Sequence, residues 1–396
     1  MKDKLNTLRS LYQKTLYDDV IPFWLNHSID EEFGGYFTCL NRDGEVFETD
    51  KFLWLQARQV WMLSHLYNHV EQNPAWLQAA QCGADFLQRR GRDEEGNWYF
   101  SLDREGRPLV QPYNLFSDCF AAMAFSQYAQ AAGCSQSQEI ALSTFQNILK
   151  RLDNPKGKYN KLYPGTRPLK ALAFPMILSN LCVEMEDILD PTLQEETVSH
   201  CLDEIINVFL DRDRLLLYEH RAPDGSKVDH FEGRISIPGH GIEAMWFLMD
   251  VAQKRNDRKL IDLCVDTMLS ILKFGWDPVH EGVFYFLDLD QKPPQQLEWD
   301  QKLWWVHLES LIALLMGFRL TGRQECWTWF EKVHAYSWSH FSDPEYGEWY
   351  GYLNRRGEVF LPLKGGKWKG CFHVPRALHR CSIELDRLAR NIISDS

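Results

Sequence analysis

Four short stretches share one design: DEEFGGYF from Asp30, DEEGNWYF from Asp93, DPVHEGVFYF from Asp277 and DPEYGEWYGY from Asp343. Each joins an aspartate to one or two glycines and then to aromatic residues, the composition of a tight turn feeding a short strand. DNPKGKYN from Asp153 and DRLLLYEH from Asp213 are weaker versions that fill the gap between them. The six aspartates are spaced by 63, 60, 60, 64 and 66 residues, so six such units use up the 396-residue chain. The chain reads as one repeat domain over residues 1–396, with no linker or low-complexity segment.

Two helical patterns follow each stretch. They fall near 51–73 and 75–90, 114–132 and 135–152, 170–190 and 192–211, 239–254 and 257–273, and 299–320 and 324–340; patterns at 3–26 and 374–392 complete the set. The first of each pair is apolar nearly all round, as in LWWVHLESLIALLMGF (303–318), and such a helix must be buried on most faces. The second carries a single apolar stripe, as in AWLQAAQCGADFLQRR (75–90), and turns its other faces to solvent. Six inner and six outer helices in alternation predict an all-α (α/α)6 barrel closed by pairing of the chain ends, with the aromatic stretches as short β-hairpins at one end. An open superhelical array of helix pairs is the other arrangement the pattern allows.

Hydrophobic residues make up 45% of the chain and charged residues 25%, as expected of a globular protein rather than a disordered one. Lys and Arg number 43 against 55 Asp and Glu, and the net charge of −12 argues against nucleic acid or anionic lipid as a general partner. The N-terminus has no apolar core of a secretory signal, and no run of about 18 apolar residues occurs, so no membrane span is expected. Ten cysteines without a CxxC pair read as packed, reduced thiols and point to the cytoplasm. The 15 Trp, 15 Tyr and 23 Phe are more aromatic faces than a core alone calls for; most build that core, and the rest suit stacking on the C–H faces of sugar rings.

The chemistry is expected where polar residues interrupt the inner helices near their starts. Arg58, Asp118, Asn180, His240, Glu243, Glu309 and His373 all lie 25 to 32 residues after their repeat aspartates, in stretches otherwise rich in Trp, Phe and Leu. A lone buried charge costs several kcal/mol, so a ring of polar groups satisfying one another around a water-filled pocket is the cheaper arrangement. Each member also has a plainer structural reading. Arg58 in KFLWLQARQVW fits a structural ion pair, and His240 with Glu243 in PGHGIEAMW fits a helix start and its cap. Glu309 is harder to place in a mere core: Trp305 precedes it by one turn and Ile312 follows, so it calls for a ligand or a base beside it. His373 follows the KGGKWKGCF stretch, and Arg376 lies one turn further on.

Other motifs are set aside. His65 and His69 have i,i+4 spacing but lack the Glu of HExxH and a third ligand nearby in sequence, so no metal site is expected. There is no GxSxG, no GxxxxGK[ST] and no GxGxxG after a strand. Residues 150–170 hold seven Lys or Arg and one Asp, a net of +6 in an acidic chain. That stretch reads either as a solvated loop or as an anion site, with Lys156, Lys158 and Lys161 around Gly157 and Tyr159 able to stack on a base.

KFLWLQAR (51–58), FSDCF (116–120), PGHGIEAMW (238–246), KLWWVHLES (302–310), WYGYLNRRG (349–357) and KGGKWKGCFHVPRAL (364–378) together resemble the N-acylglucosamine 2-epimerase family, also called renin-binding protein in animals, over essentially the whole chain. The resemblance implies an (α/α)6 barrel, usually a homodimer, that interconverts sugars at C2. It implies catalytic histidines at His240 and His373, supporting carboxylates at Glu243 and Glu309, and sugar contacts at Arg58 and Trp368; Asn180 and Arg376 join the expected sugar contacts. It implies no cofactor for the chemistry, and a nucleotide, usually ATP, as an activator that is not consumed, for which Lys156, Lys158 and Lys161 are the expected contacts. Three alternatives stay open at this point. An aldose–ketose (mannose-type) isomerase or a cellobiose 2-epimerase would share the fold, an inverting glycosidase would use Glu243 and Glu309 as opposed carboxyls ~6.5–9.5 Å apart, and a partner-binding protein would leave the polar ring unused.

Overall fold

A computed structural model describes residues 2–161, Tyr163 and residues 165–394. Leu162 and Pro164 of the basic stretch, and the terminal residues of the 1–396 span, lie outside the described residues. The helices, in order, are α1 (Lys2–Lys14), α2 (Ile21–His27), α3 (Leu53–His69), α4 (Pro74–Arg90), α5 (Phe116–Ala132), α6 (Ser135–Arg151), α7 (Ala173–Glu184), α8 (Pro191–Asp203), the one-turn α9 (Phe231–Arg234), α10 (Pro238–Lys254), α11 (Arg258–Gly275), α12 (Trp304–Thr321), α13 (Gln324–His340) and α14 (His373–Ser394). A π-helical stretch, Thr15–Val20, joins α1 to α2, and another, Glu204–Phe209, extends α8.

The barrel follows from which faces these helices can leave in water. Every residue of α12 from Trp304 to Gly317 is buried, so this helix must be surrounded. On α4 the buried positions Trp76, Ala79, Ala80, Gly83, Ala84, Phe86 and Leu87 form one stripe, so it lies on the outside. The inner ring runs α3, α5, α7, α10, α12, α14, each packed on the next. It closes where Trp61 of α3 meets Phe372 at 5.3 Å and His65 of α3 meets His379 of α14 at 5.3 Å between ring centroids. α1 packs on α14, so the two chain ends do pair. The fold is an (α/α)6 barrel, as the repeat count predicts. Among the described residues no helix is long and apolar enough to cross a membrane.

Three of the six repeat aspartates turn out to be structural clasps. Asp30 Oδ1 accepts the N–H groups of Glu32 and Phe33, while its other oxygen holds the fully buried Lys51 Nζ at 2.8 Å. Asp277 does the same with Val279, His280 and buried Lys302, and Asp343 with Glu345 and Lys364. In the fourth unit the residue in this role is Asp211, not Asp213: Asp211 accepts from the N–H groups of Asp213 and Arg214. These clasps shorten the inner helices relative to the sequence pattern, because Lys51–Phe52 and Lys302–Leu303 become strands carrying the buried lysine. Among the described residues the third unit has neither an acidic hairpin nor a basic one. Its Lys156, Lys158 and Lys161 are exposed around a 3₁₀ turn, Gly157–Tyr159.

Candidate active site

The inner helices begin at the hairpin end and open there onto one pocket of about 540 Å³. α10 brings His240 and Glu243, α14 brings His373 and Arg376, and α3 brings Arg58; Trp54, Trp304, Trp305, Phe120 and Phe372 supply most of the wall. The PGHG stretch has a steric reason. A Cβ at Gly239 would lie 2.6 Å from the Trp305 ring, so only glycine lets α10 close onto α12 and bring His240 over that indole. His240 and His373 both pack against Trp305, at 5.3 and 5.9 Å between ring centroids.

The two imidazoles sit in opposite electrostatic surroundings. Burial depresses His373, and the Arg58 and Arg376 guanidiniums add to it, holding the ring well below the ordinary histidine value. Its Nδ1 lies 2.7 Å from Glu309 Oε1. A carboxylate there accepts Nδ1–H and leaves Nε2 as the free basic nitrogen. Burial alone would also lower His240, but the charge and hydrogen bond of Glu219, 3.1 Å away, outweigh it with help from Glu243 and raise the pKa. The two imidazoles are thus biased in opposite directions, His373 toward its neutral form and His240 toward its protonated one.

Behind His373, Arg376 Nη2 donates to Glu309 Oε1 at 2.7 Å and to Glu243 Oε1 at 2.6 Å, and Trp246 Nε1 donates to Glu309 Oε2 at 2.9 Å. Glu309 is fully buried and does not reach the pocket surface, so it acts on His373 from behind. Glu243, Glu309 and His373 offer ligand atoms within 4.8 Å of one another, a spacing a metal ion could use, but Arg376 Nη2 already bridges one oxygen of each carboxylate. The same proximity rules out the inverting-glycosidase arrangement, which needs its carboxyls ~6.5–9.5 Å apart with water between. Arg58 has no carboxylate in ion-pair range among the described residues. Its guanidinium lies over Phe120, Trp54 and Phe372 at 3.9, 4.4 and 4.5 Å, and burial with the Arg376 charge pushes its pKa down to about 9. A buried cation left without an anion is a ready seat for one.

The expected ring is four-sided rather than six-sided. Asp118 faces away, paired with Arg151 of α6 at 2.9 Å, and burial lifts it to about 7. Phe116 and Phe120, two residues to either side and so on the opposite face of the helix, line the pocket in its place. Asn180 is not a pocket residue. It lies one turn below Met176 and Ile177, with its amide 4.0 Å from Met123 Sδ. Trp368 is half exposed at the mouth. The three lysines do not line the pocket; Tyr159 beside them donates to Gln111 Oε1 at 2.9 Å. Glu219 escaped the sequence reading although it stands in the weak repeat DRLLLYEH, because nothing in one dimension shows that this hairpin folds back onto His240.

The family model for N-acylglucosamine 2-epimerase (GlcNAc 2-epimerase) matches residues 35–377. The chain belongs to that family. It is 40% identical to the N-acylglucosamine 2-epimerase of Bos taurus, over 98% of this chain and 94% of the bovine one. It is 38% identical to that of Homo sapiens, over 94% and 88%. The solved structure of cellobiose 2-epimerase from Spirochaeta thermophila superposes with a TM-score of 0.82 at 22% identity, covering 98% of both chains, and shows the same barrel. This family member is an isomerase.

Proposed function

We propose that the protein interconverts N-acetylglucosamine and N-acetylmannosamine by removing and returning the proton on C2 of the ring-opened sugar. The observation that carries this reading is the pair of oppositely biased histidines flanking Trp305. Ring opening exposes the C1 aldehyde, which acidifies the neighbouring C2–H. The neutral His373 takes that proton at Nε2, and the C–H electron pair moves into a C1–C2 double bond, placing negative charge on O1. Arg58, a cation without its own anion, stabilises that charge. His240, whose protonated form Glu219 favours, then delivers a proton to the other face of C2, and the carbonyl re-forms with inverted C2. One proton leaves and one returns, so no redox group takes part. Glu309 and Arg376 are positioning residues that hold the His373 tautomer, and Glu219 does the same for His240.

The experiment is incubation with N-acetylglucosamine in D2O, followed at C2 by proton NMR. Deuterium at C2 in both epimers is the expected result, and an unlabelled, unchanged sugar refutes the reading. An aldose–ketose isomerase would pass the proton from C2 to C1 and needs only one base. Two histidines of opposite bias favour exchange across two faces, and formation of the ketose would overturn that preference.

The kinship with animal N-acylglucosamine 2-epimerases supports three finer readings. A nucleotide such as ATP activates without being consumed, held by Lys156, Lys158 and Lys161, which are exposed on and beside one turn. Replacing all three with alanine and assaying with zero and saturating ATP tests this, and unchanged activation refutes it. The protein works as a homodimer, to be checked by light scattering. Its ten cysteines are free thiols, as suits the cytoplasm.

A further inference from the structure

The pocket has two chemically different halves. α10, α12 and α14 carry the histidines and the Glu–Arg cluster, whereas α5 and α7 present only Phe116, Phe120, Ala173, Met176 and Ile177 to it. Their polar groups are turned elsewhere, Asp118 to Arg151 and Asn180 toward Met123. Phe116 and Phe174 stack face to face at 5.8 Å and 12°, clamping the two helices into one apolar wall. In the ring order, α5 stands directly across the barrel axis from α12.

We propose that this wall seats the N-acyl group of the sugar, and that Ala173 and Ile177 of α7 set the length of acyl chain accepted. This rests on the 2-epimerase reading above. A proton that leaves one face of C2 and returns to the other requires the two histidines to stand on opposite faces of a planar intermediate. The three remaining substituents of C2, namely C1, C3 and the acylamino nitrogen, then lie in the plane between the rings. The Trp305 indole of α12 touches both imidazoles and closes one edge of that plane. O1 carries the developing charge and is drawn to Arg58 on α3. The remaining edge faces α5 and α7, so the acyl group goes there. An acyl methyl group gains by leaving water for such a wall, whereas a sugar hydroxyl loses its hydrogen bonds there. The wall thus selects an acylamino over a hydroxyl at C2. With about 540 Å³ available, the pocket is in the size range that takes ligands larger than a simple hexose.

The test is a substrate series of N-acetyl-, N-propanoyl- and N-butanoylglucosamine, read as kcat/KM for the parent, Ile177→Ala and Ala173→Leu. Each methylene gained or lost against the wall is worth about fourfold in kcat/KM. Ile177→Ala, which removes three carbons, is expected to raise the butanoyl-to-acetyl ratio about tenfold or more, and Ala173→Leu to lower it by as much. Should Ile177→Ala fold poorly, Ile177→Val gives the same direction at about fourfold. A ratio within twofold of the parent in variants that fold and still exchange the C2 proton overturns the acyl seat while leaving the epimerase reading intact. A parent that exchanges no C2 proton of N-acetylglucosamine in D2O overturns both.

Discussion

Replacing Glu309 by glutamine isolates what holds His373 in its working form. The Glu309 carboxylate is met only by donors: Trp246 Nε1 at 2.9 Å on one oxygen, and His373 Nδ1 and Arg376 Nη2, both at 2.7 Å, on the other. A glutamine amide offers one acceptor and one donor. If its NH2 faced Trp246, two donors would meet in a fully buried place and neither would find a partner. If it faces His373, the imidazole can accept at Nδ1 by moving its own proton to Nε2, and Arg376 keeps its bond to Glu243. The second orientation loses less, and it removes the base, because Nε2 now carries the proton. A wrong tautomer of this kind costs about 10⁴ in kcat, near 5 kcal/mol in the barrier. The fold loses one charge-assisted hydrogen bond, about 1.5–3 kcal/mol. At about 2.1 cal/mol/K of unfolding entropy per residue, a chain of 396 residues has near 0.8 kcal/mol/K, so Tm should fall by only about 2–4 °C. Epimerisation rate, calorimetry and nitrogen-15 NMR of the imidazoles measure the three quantities. A variant with near-parental kcat, or one whose activity loss merely tracks a Tm drop beyond about 10 °C, would refute the tautomer argument and leave Glu309 a structural ion partner.

His240→Ala and His373→Ala should each lower kcat by about 10²–10⁴ with folding intact, as steady-state kinetics and circular dichroism would show; parental turnover in either would remove that residue from the chemistry. Arg58→Met should cut kcat by about 10²–10³ while leaving Tm unchanged or higher, since it removes a buried cation that has no anion in the free protein; a clear Tm loss would show the cation to be structural. Because Glu219 holds the His240 pKa up, Glu219→Gln should move the alkaline limb of kcat/KM to lower pH, and an unmoved limb would exclude His240 as the acid. Among the described residues His379 has no hydrogen-bond partner on either ring nitrogen, and burial with the Arg380 charge pushes it down to about 4. The unfolded chain takes up this proton below about pH 6.5 and the folded one does not until near 4, so His379 withdraws about 2 kcal/mol of stability by pH 5. His379→Phe should therefore be more stable than the parent at pH 5 by about that amount relative to the difference at pH 7, as denaturant titrations at the two pH values would show.

The barrel was legible in the sequence because burial on all faces leaves a mark in one dimension. LWWVHLESLIALLMGF has no polar stripe, AWLQAAQCGADFLQRR has one, and their alternation behind a repeated Asp–Gly–aromatic turn leaves few ways to cover every apolar face. The level of the site was legible for the same reason: Arg58, His240, Glu243, Glu309 and His373 interrupt stretches otherwise rich in Trp, Phe and Leu. What the pattern lacked was rotation and partnership. Asp118 stands at the same level as Arg58, yet the 100° per residue of a helix points it at Arg151 and points Phe116 and Phe120 at the pocket. Glu219 stands in an unremarkable hairpin and becomes the partner of His240 only when that hairpin folds over the start of α10. The same holds for the division of labour between the histidines. Sequence places two imidazoles at one end of a barrel, but which one stays neutral depends on the Arg58 and Arg376 charges around His373 and the Glu219 charge beside His240. Arg58 comes from α3, Arg376 from α14 and Glu219 from a hairpin, and these charges meet only in three dimensions. Hydrophobic periodicity is a property of neighbours along the chain and survives in the sequence; electrostatic environment is a property of neighbours in space, and only the tertiary structure decides it.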